Sequence, residues 1–164
     1  MKITFVIPLM SLLLLASSGC EPENTRISTS DEKGLNRLAE YSPAKVDIMP
    51  LTEFITGGDQ ITLTVYVCLL DKFDSQIKSP AVFRFELYNK IPRSAQPKGK
   101  RVSIWPDINL NDIDKNNKYW QDFLRSYKFD LPFELDTDHN YILQVTAICP
   151  NGKRLSTEFT LKPQ

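Results

Sequence analysis

Residues Gln60–Leu70 read QITLTVYVCLL. Ile61, Leu63, Val65, Val67 and Leu69 fall on one side of an extended chain, and Thr62, Thr64, Tyr66 and Cys68 fall on the other. Alternation of this kind, rich in β-branched residues, marks a strand with one face in a core. A helix would scatter the same residues around its circumference. A single strand cannot bury that face alone, so the rest of the chain must supply partners in the sheet and an opposing layer.

Upstream, Val46 and Ile48 alternate with Lys45 and Asp47 ahead of Pro50, a short first strand. Gly57-Gly58-Asp59 is the turn into the long strand. Downstream, residues 71–80 form a polar loop, and AVFRFELY at 81–88 turns Ala81, Phe83, Phe85 and Leu87 inward with Arg84 and Glu86 outward. Pro92, Pro97 and Gly99 make 89–99 a long connection to a shorter strand at 100–105, with Val102 and Ile104 on one face. Tyr119, Trp120, Phe123, Leu124 and Tyr127 have the spacing of one face of a helix, N-capped by Asn116 or Asn117. Phe129, Leu131, Phe133 and Leu135 then alternate, and Pro132, which lacks an N–H, puts that strand at a sheet edge. Tyr141, Leu143, Val145 and Ala147 share a face in the next strand, and Leu155, Thr157, Phe159 and Leu161 in the last. Between these two strands stands Asn151-Gly152, the signal for a type I′ hairpin turn with positive φ at both central positions.

About seven strands with turns at short intervals predict an all-β fold. The expected form is an antiparallel two-sheet β-sandwich, broadly immunoglobulin-like, with one short helix. Cys68 ends the second of these strands and Cys149 the sixth, so a Greek-key sandwich would bring both to one end and leave a Cys68–Cys149 disulfide open. Strict alternation argues against it, because Cys68 lies on the face opposite Val65 and Val67.

The first twenty residues have a different texture. Lys2 precedes a run at 3–16 that is apolar except for Thr4, Pro8 and Ser11; Ser17-Ser18-Gly19-Cys20 follows. A basic start, a short apolar centre and small residues at the end make a secretory signal peptide, too short for a membrane span. With a Cys directly after the small residues, the segment resembles the lipobox of bacterial lipoprotein precursors. Ser17 stands where that family prefers Leu. The resemblance implies that 1–19 are cleaved, that the Cys20 thiol carries a diacylglycerol, and that its new amino group is acylated. Several acyl chains on one residue meet the requirement for stable membrane attachment, since each buried methylene contributes roughly 0.8 kcal/mol. Residues 20–43 open with the polar EPENTRISTSDEKG and read as a tether, and 44–164 as the sandwich domain.

Cleavage would leave 145 of the 164 residues, enough for one domain with a real core. Lys and Arg together number 20, as do Asp and Glu, so no basic excess points to nucleic acid. His139, the one histidine, sits in a turn sequence with no nucleophile motif beside it. Asp107, Asn109, Asn111, Asp112 and Asp114 are spaced oxygen donors, but Asp112 and Lys118 occupy the places where a calcium-binding EF-hand loop needs Gly and Glu. Histidine and cysteine are too few for zinc, and no glycine-rich loop cradles phosphate. Tyr66, Tyr88, Trp105, Tyr119 and Trp120 are candidate aromatics for sugar or protein binding, with the core or a half-buried place the favoured reading.

These readings lead to the expectation of a non-catalytic, cofactor-free, lipid-anchored envelope protein. Its expected attachments are the membrane, through Cys20, and an envelope protein partner. In many lipoproteins the residue after the Cys influences sorting, and with Glu21 there the resemblance leaves the outer membrane as the expected destination. A carbohydrate or small-ligand binder is the alternative, and an enzyme the less favoured one. The layout of lipobox, tether and compact sandwich is similar to that of the small lipoproteins of type VI secretion systems, a likeness of architecture that no motif carries.

Overall fold

The computed structural model describes residues 41–57, 60–134 and 140–162. Eleven strands and one helix lie among them: β1 (Lys45–Ile48), β2 (Glu53–Gly57), β3 (Gln60–Leu70), β4 (Gln76–Ile77), β5 (Val82–Lys90), β6 (Lys98–Ile104), β7 (Ile108–Asn109), α1 (Ile113–Tyr119), β8 (Trp120–Gln121), β9 (Ser126–Phe133), β10 (Tyr141–Ile148) and β11 (Arg154–Leu161). They form two antiparallel sheets packed as a sandwich. One has the order β1-β3-β9-β8, with β2 and β4 also paired to β3; the other has the order β11-β10-β5-β6, with β7 paired to β5. β1 lies against β11. This is the four-strands-on-four order of an immunoglobulin-type Greek key.

β3 is the hub, as its alternation requires. Leu63, Val65, Val67 and Leu69 are fully buried against Phe83, Phe85 and Leu87 of β5, Leu143, Val145 and Ala147 of β10, and Tyr127 and Phe129 of β9. Each fully buried side chain of this size contributes about 1.5–3 kcal/mol relative to exposure. Rings interlock through the middle: Phe129 stands 4.7 Å from Phe85 and 5.1 Å from Phe83, centroid to centroid. β1 and β2 follow one another along the same side of β3, interrupted at 49–52. There the Thr52 hydroxyl accepts the Tyr66 N–H at 3.0 Å and takes the place of the missing ladder bond.

Several expectations are corrected. The helix is α1, not a segment spanning 119–127; its N-cap is Asp112, whose side chain accepts from the Lys115 N–H, rather than Asn116 or Asn117. Tyr119, Trp120 and Tyr127 do converge, but through a helix end, a two-residue strand and a turn closed by Arg125 at φ 50°. Phe123, counted on the helical face, is 97% exposed at that turn. β2 was not anticipated because only Phe54 of its five residues faces the core. The loop at 71–80 contains β4, and β7 and β8 are further two-residue strands. At Asn151-Gly152 only Gly152 has positive φ, at 80°. Gly152 donates its N–H to the Cys149 carbonyl and Cys149 donates to Lys153, so this is a type I turn followed by a left-handed glycine, not type I′. The edge placement of Pro132 holds: β8 covers β9 only at Ser126 and Tyr127. The turn at Gly58-Asp59, Leu135 and His139 lie outside the described residues.

Candidate functional site

The strand directions separate two ends of the sandwich. Ala44 donates to the Leu70 carbonyl, and Lys153 Nζ reaches the Pro43 carbonyl at 3.3 Å, so the chain enters the domain beside the end of β3 and the β10–β11 turn. β5 runs away from that end, pairing Val82 with Ile148 at its start and Asn89 with Tyr141 near its finish. Nine residues at about 3.3 Å each separate the two ends by roughly 30 Å. The β5–β6 connection therefore stands at the end opposite chain entry.

That connection is held in shape. Ile91 donates its N–H to the Pro97 carbonyl at 2.8 Å, Lys90 donates to Asn140, and Gln96 donates to the Ser94 hydroxyl. Arg93 sits at φ 55°. A Cβ on Gly99 would stand 2.9 Å from the Asn89 carbonyl oxygen, so the close approach of the two strands there requires glycine. Register shifts occur between Leu87 and Tyr88 and between Tyr88 and Lys90. They bend β6 and re-aim its side chains.

The surface so built is basic and partly apolar. Residues 90–101 carry Lys90, Arg93, Lys98, Lys100 and Arg101 and no acidic residue. Two of these cations are engaged across the outer face of the sheet. Arg101 meets Glu86 at 2.7 Å, and Lys98 meets Glu158 at 2.5 Å and Gln144 at 2.6 Å while lying over the Tyr88 ring. Burial and the neighbouring Glu86 push the Tyr88 hydroxyl's pKa up. Further along the same face, Arg84 and Asp107 form a two-point pair that holds the Asp107 carboxyl below its usual range, chiefly through the hydrogen bond. Lys90, Arg93 and Lys100 have no carboxylate partner among the described residues. Beside them Ile91, Val102 and Ile104 are each nearly half exposed. The alternation of Val102 and Ile104 was legible in the sequence; that their face is solvent, not core, was not.

The other candidates sort differently. Cys68 and Cys149 are both buried free thiols. Cys149 belongs to the core, whereas Cys68 points from the outer face of β3, opposite Asp47, and its sulfur accepts from Gln76 Nε2 at 3.2 Å. A sheet lies between them, which accounts for their standing unbridged. Cys20 lies outside the described residues. The oxygen donors at 107–114 do not converge: Asp107 holds Arg84, Asn109 accepts from the Asn111 N–H, and Asp112 caps α1. Among the described residues no group of three His, Cys, Asp or Glu side chains could hold a metal ion. Trp105 is buried, Tyr119 packs on Phe129 and Trp120 on Tyr127, so these aromatics serve the core rather than an open platform.

A cavity of about 600 Å³ opens at the chain-entry end, between Ser79-Pro80 and α1, with Leu110 and Ile113 supplying apolar wall. Lys78 Nζ and Asn117 Oδ1 meet at its rim at 2.6 Å. Asn116 behind it is structural: it is buried and donates to the carbonyls of Leu110 and Ser79, and the Tyr127 hydroxyl reaches its Oδ1. No protein-family model and no curated protein sequence matches the chain.

Proposed function

We propose that this protein is a lipid-anchored lipoprotein of the bacterial cell envelope whose β-sandwich is a non-catalytic binding or assembly domain. The anchor is Cys20, read from Ser17-Ser18-Gly19-Cys20 behind the apolar run at 3–16. Residues 20–43 act as the tether, and the outer membrane is the favoured destination. Among the described residues no helix is long and apolar enough to cross a membrane.

The observation that carries the binding role is the placement of the β5–β6 hairpin. Chain entry is at one end of the domain; the hairpin tip, with exposed Ile91 and with Arg93 and Lys100 that have no carboxylate partner among the described residues, is at the other, and β6 carries exposed Val102 and Ile104 from it toward the middle of the sheet. An anchor holding the first end to a membrane presents the second to the envelope space. A surface that mixes unpaired charge with exposed aliphatic side chains is a protein-docking surface in composition.

The cavity beside α1 favours a second reading, binding of a small apolar ligand, since its volume falls in the range of ligand pockets.

The test is metabolic lipid labelling and membrane fractionation of the whole chain and its Cys20→Ala variant, with photo-crosslinkers at Ile104 and, on the opposite sheet, at Ile55. Labelled wild type in the membrane fraction, an unlabelled soluble variant, and one crosslinked protein lost when the anchor is removed are the expected results. Absence of lipid on Cys20 overturns the anchor, and absence of any crosslinked protein at either position overturns the assembly role.

A further inference from the structure

We infer that the open edge of β6 is a strand-addition site, and that its ligand is an extended segment of a partner protein with acidic residues alternating with aliphatic ones. This rests on the proposed binding role and names the surface and the partner's chemistry.

Three observations meet at this strand. First, β6 ends its sheet: it pairs with β5 and with no other strand among the described residues. Its second side therefore offers a row of backbone N–H and C=O groups to an incoming chain. Second, β6 shows Val102 and Ile104 to solvent, each nearly half exposed. Soluble proteins blunt open edges with lysines and bulges, and β6 has both. Exposed β-branched residues serve no such purpose and give an added strand apolar neighbours to pack against. Third, the charge is one-sided. After Lys98 and Arg101 are matched by Glu158 and Glu86, Lys90, whose Nζ reaches only the Thr160 hydroxyl, Arg93 and Lys100 remain without carboxylates among the described residues.

The neighbouring open edge differs. β9 beyond Tyr127 carries Pro132, which offers no N–H, and its Lys128 and Asp130 neutralise each other at 3.2 Å. Trp105 bonds to the Pro132 carbonyl there. The hairpin also needs no folding step to receive a strand, because its own hydrogen bonds and Gly99 fix it. The occupant follows from complementarity: carboxylates opposite Lys100 and Arg93, aliphatic side chains opposite Val102 and Ile104, and an extended backbone.

The probe is a capped peptide of about eight residues alternating Glu and Val, read by fluorescence anisotropy with the full-length lipoprotein in detergent. A Lys-Val peptide and heparin serve as comparison ligands. The Glu-Val peptide is expected to bind, to lose about tenfold in affinity with Lys100→Glu, and to weaken in about 0.5 M salt. Amide exchange in β6 is expected to slow on binding. Ile104→Asp, an exposed change that leaves the core intact, should also weaken it. Failure of the Glu-Val peptide to bind, unchanged affinity in Lys100→Glu, or protection confined to another strand overturns the inference. So does heparin binding equally with β6 exchange unaltered, for charge alone would then act. A partner crosslinked at Ile55 but not at Ile104 overturns strand addition while leaving the assembly role standing; no partner at either site removes both.

Discussion

Trp105 Nε1 donates to the Pro132 carbonyl at 2.8 Å. The bond joins the segment leaving β6 to the outermost residues of β9, so the open edges of the two sheets are tied together where no strand among the described residues bridges them. The Trp105 ring also stands 6.2 Å from Phe133, giving the tie an apolar backing.

Trp105→Phe is expected to lower stability by about 1–2 kcal/mol, because the Pro132 carbonyl loses its donor in a half-buried place. Trp105→Ala should cost about 3–5 kcal/mol, as the ring's packing goes too. Urea unfolding of the Cys20→Ala chain measures both. A Phe variant as stable as the parent would show that the bond contributes nothing.

Asn116 is a residue of a helix surface in sequence and of the interior in space. Asn116→Ala leaves the Leu110 carbonyl without its side-chain donor and removes a partner of Tyr127, so a loss of about 2–3 kcal/mol is expected. Asn117→Ala, exposed one position on, should stay within about 0.5 kcal/mol. Equal losses in thermal melts would contradict the buried role.

Burial raises the pKa of the Tyr127 hydroxyl, with bonds to Ser79 and Asn116 opposing it in part. The neutral form is therefore favoured in the folded state. The unfolded chain ionises near pH 10, so this stability is whole below that pH and is lost as pH rises through the higher folded value. Cys68 and Cys149, also raised mainly by burial, add to the loss from a lower starting pH. Denaturation midpoints should fall above about pH 9. Tyr127→Phe should cost about 1 kcal/mol at neutral pH and flatten the alkaline limb. A limb of unchanged slope in that variant would assign the effect elsewhere.

Both thiols are buried, and burial disfavours the thiolate. Ellman's reagent is expected to label the folded Cys20→Ala chain slowly and both cysteines rapidly in denaturant. Mild oxidation should leave mobility on a non-reducing gel unchanged. A faster-migrating oxidised form, absent in Cys149→Ser, would mean that Cys68 reaches the core side after all.

The sequence was most legible where apolar and polar residues alternate strictly along a strand. β3 was read to its end residues, and the inward sets of β5, β10 and β11 followed the same period. β2 escaped because it lies mostly exposed, with Phe54 its one core contact. The helix was displaced because Tyr119, Trp120 and Tyr127 share a destination but not an element: a strand–turn–strand path delivers them to the same place that a helical period would. The candidate docking site was written in the run from Lys90 to Arg101, five cations without an acid, but a chain with equal numbers of both signs conceals local excess.

By itself, then, the sequence determined the fold class and the inward face of the main strands, because period-two burial is a local property of consecutive residues. Its opening residues also carry the whole case for an anchor. Only the tertiary structure decided which edges are open, that Val102 and Ile104 face water, that Cys68 and Cys149 stand on opposite sides of a sheet, and that chain entry and the basic hairpin lie at opposite ends. Those depend on strand order and register, which arise from contacts between residues far apart in the chain.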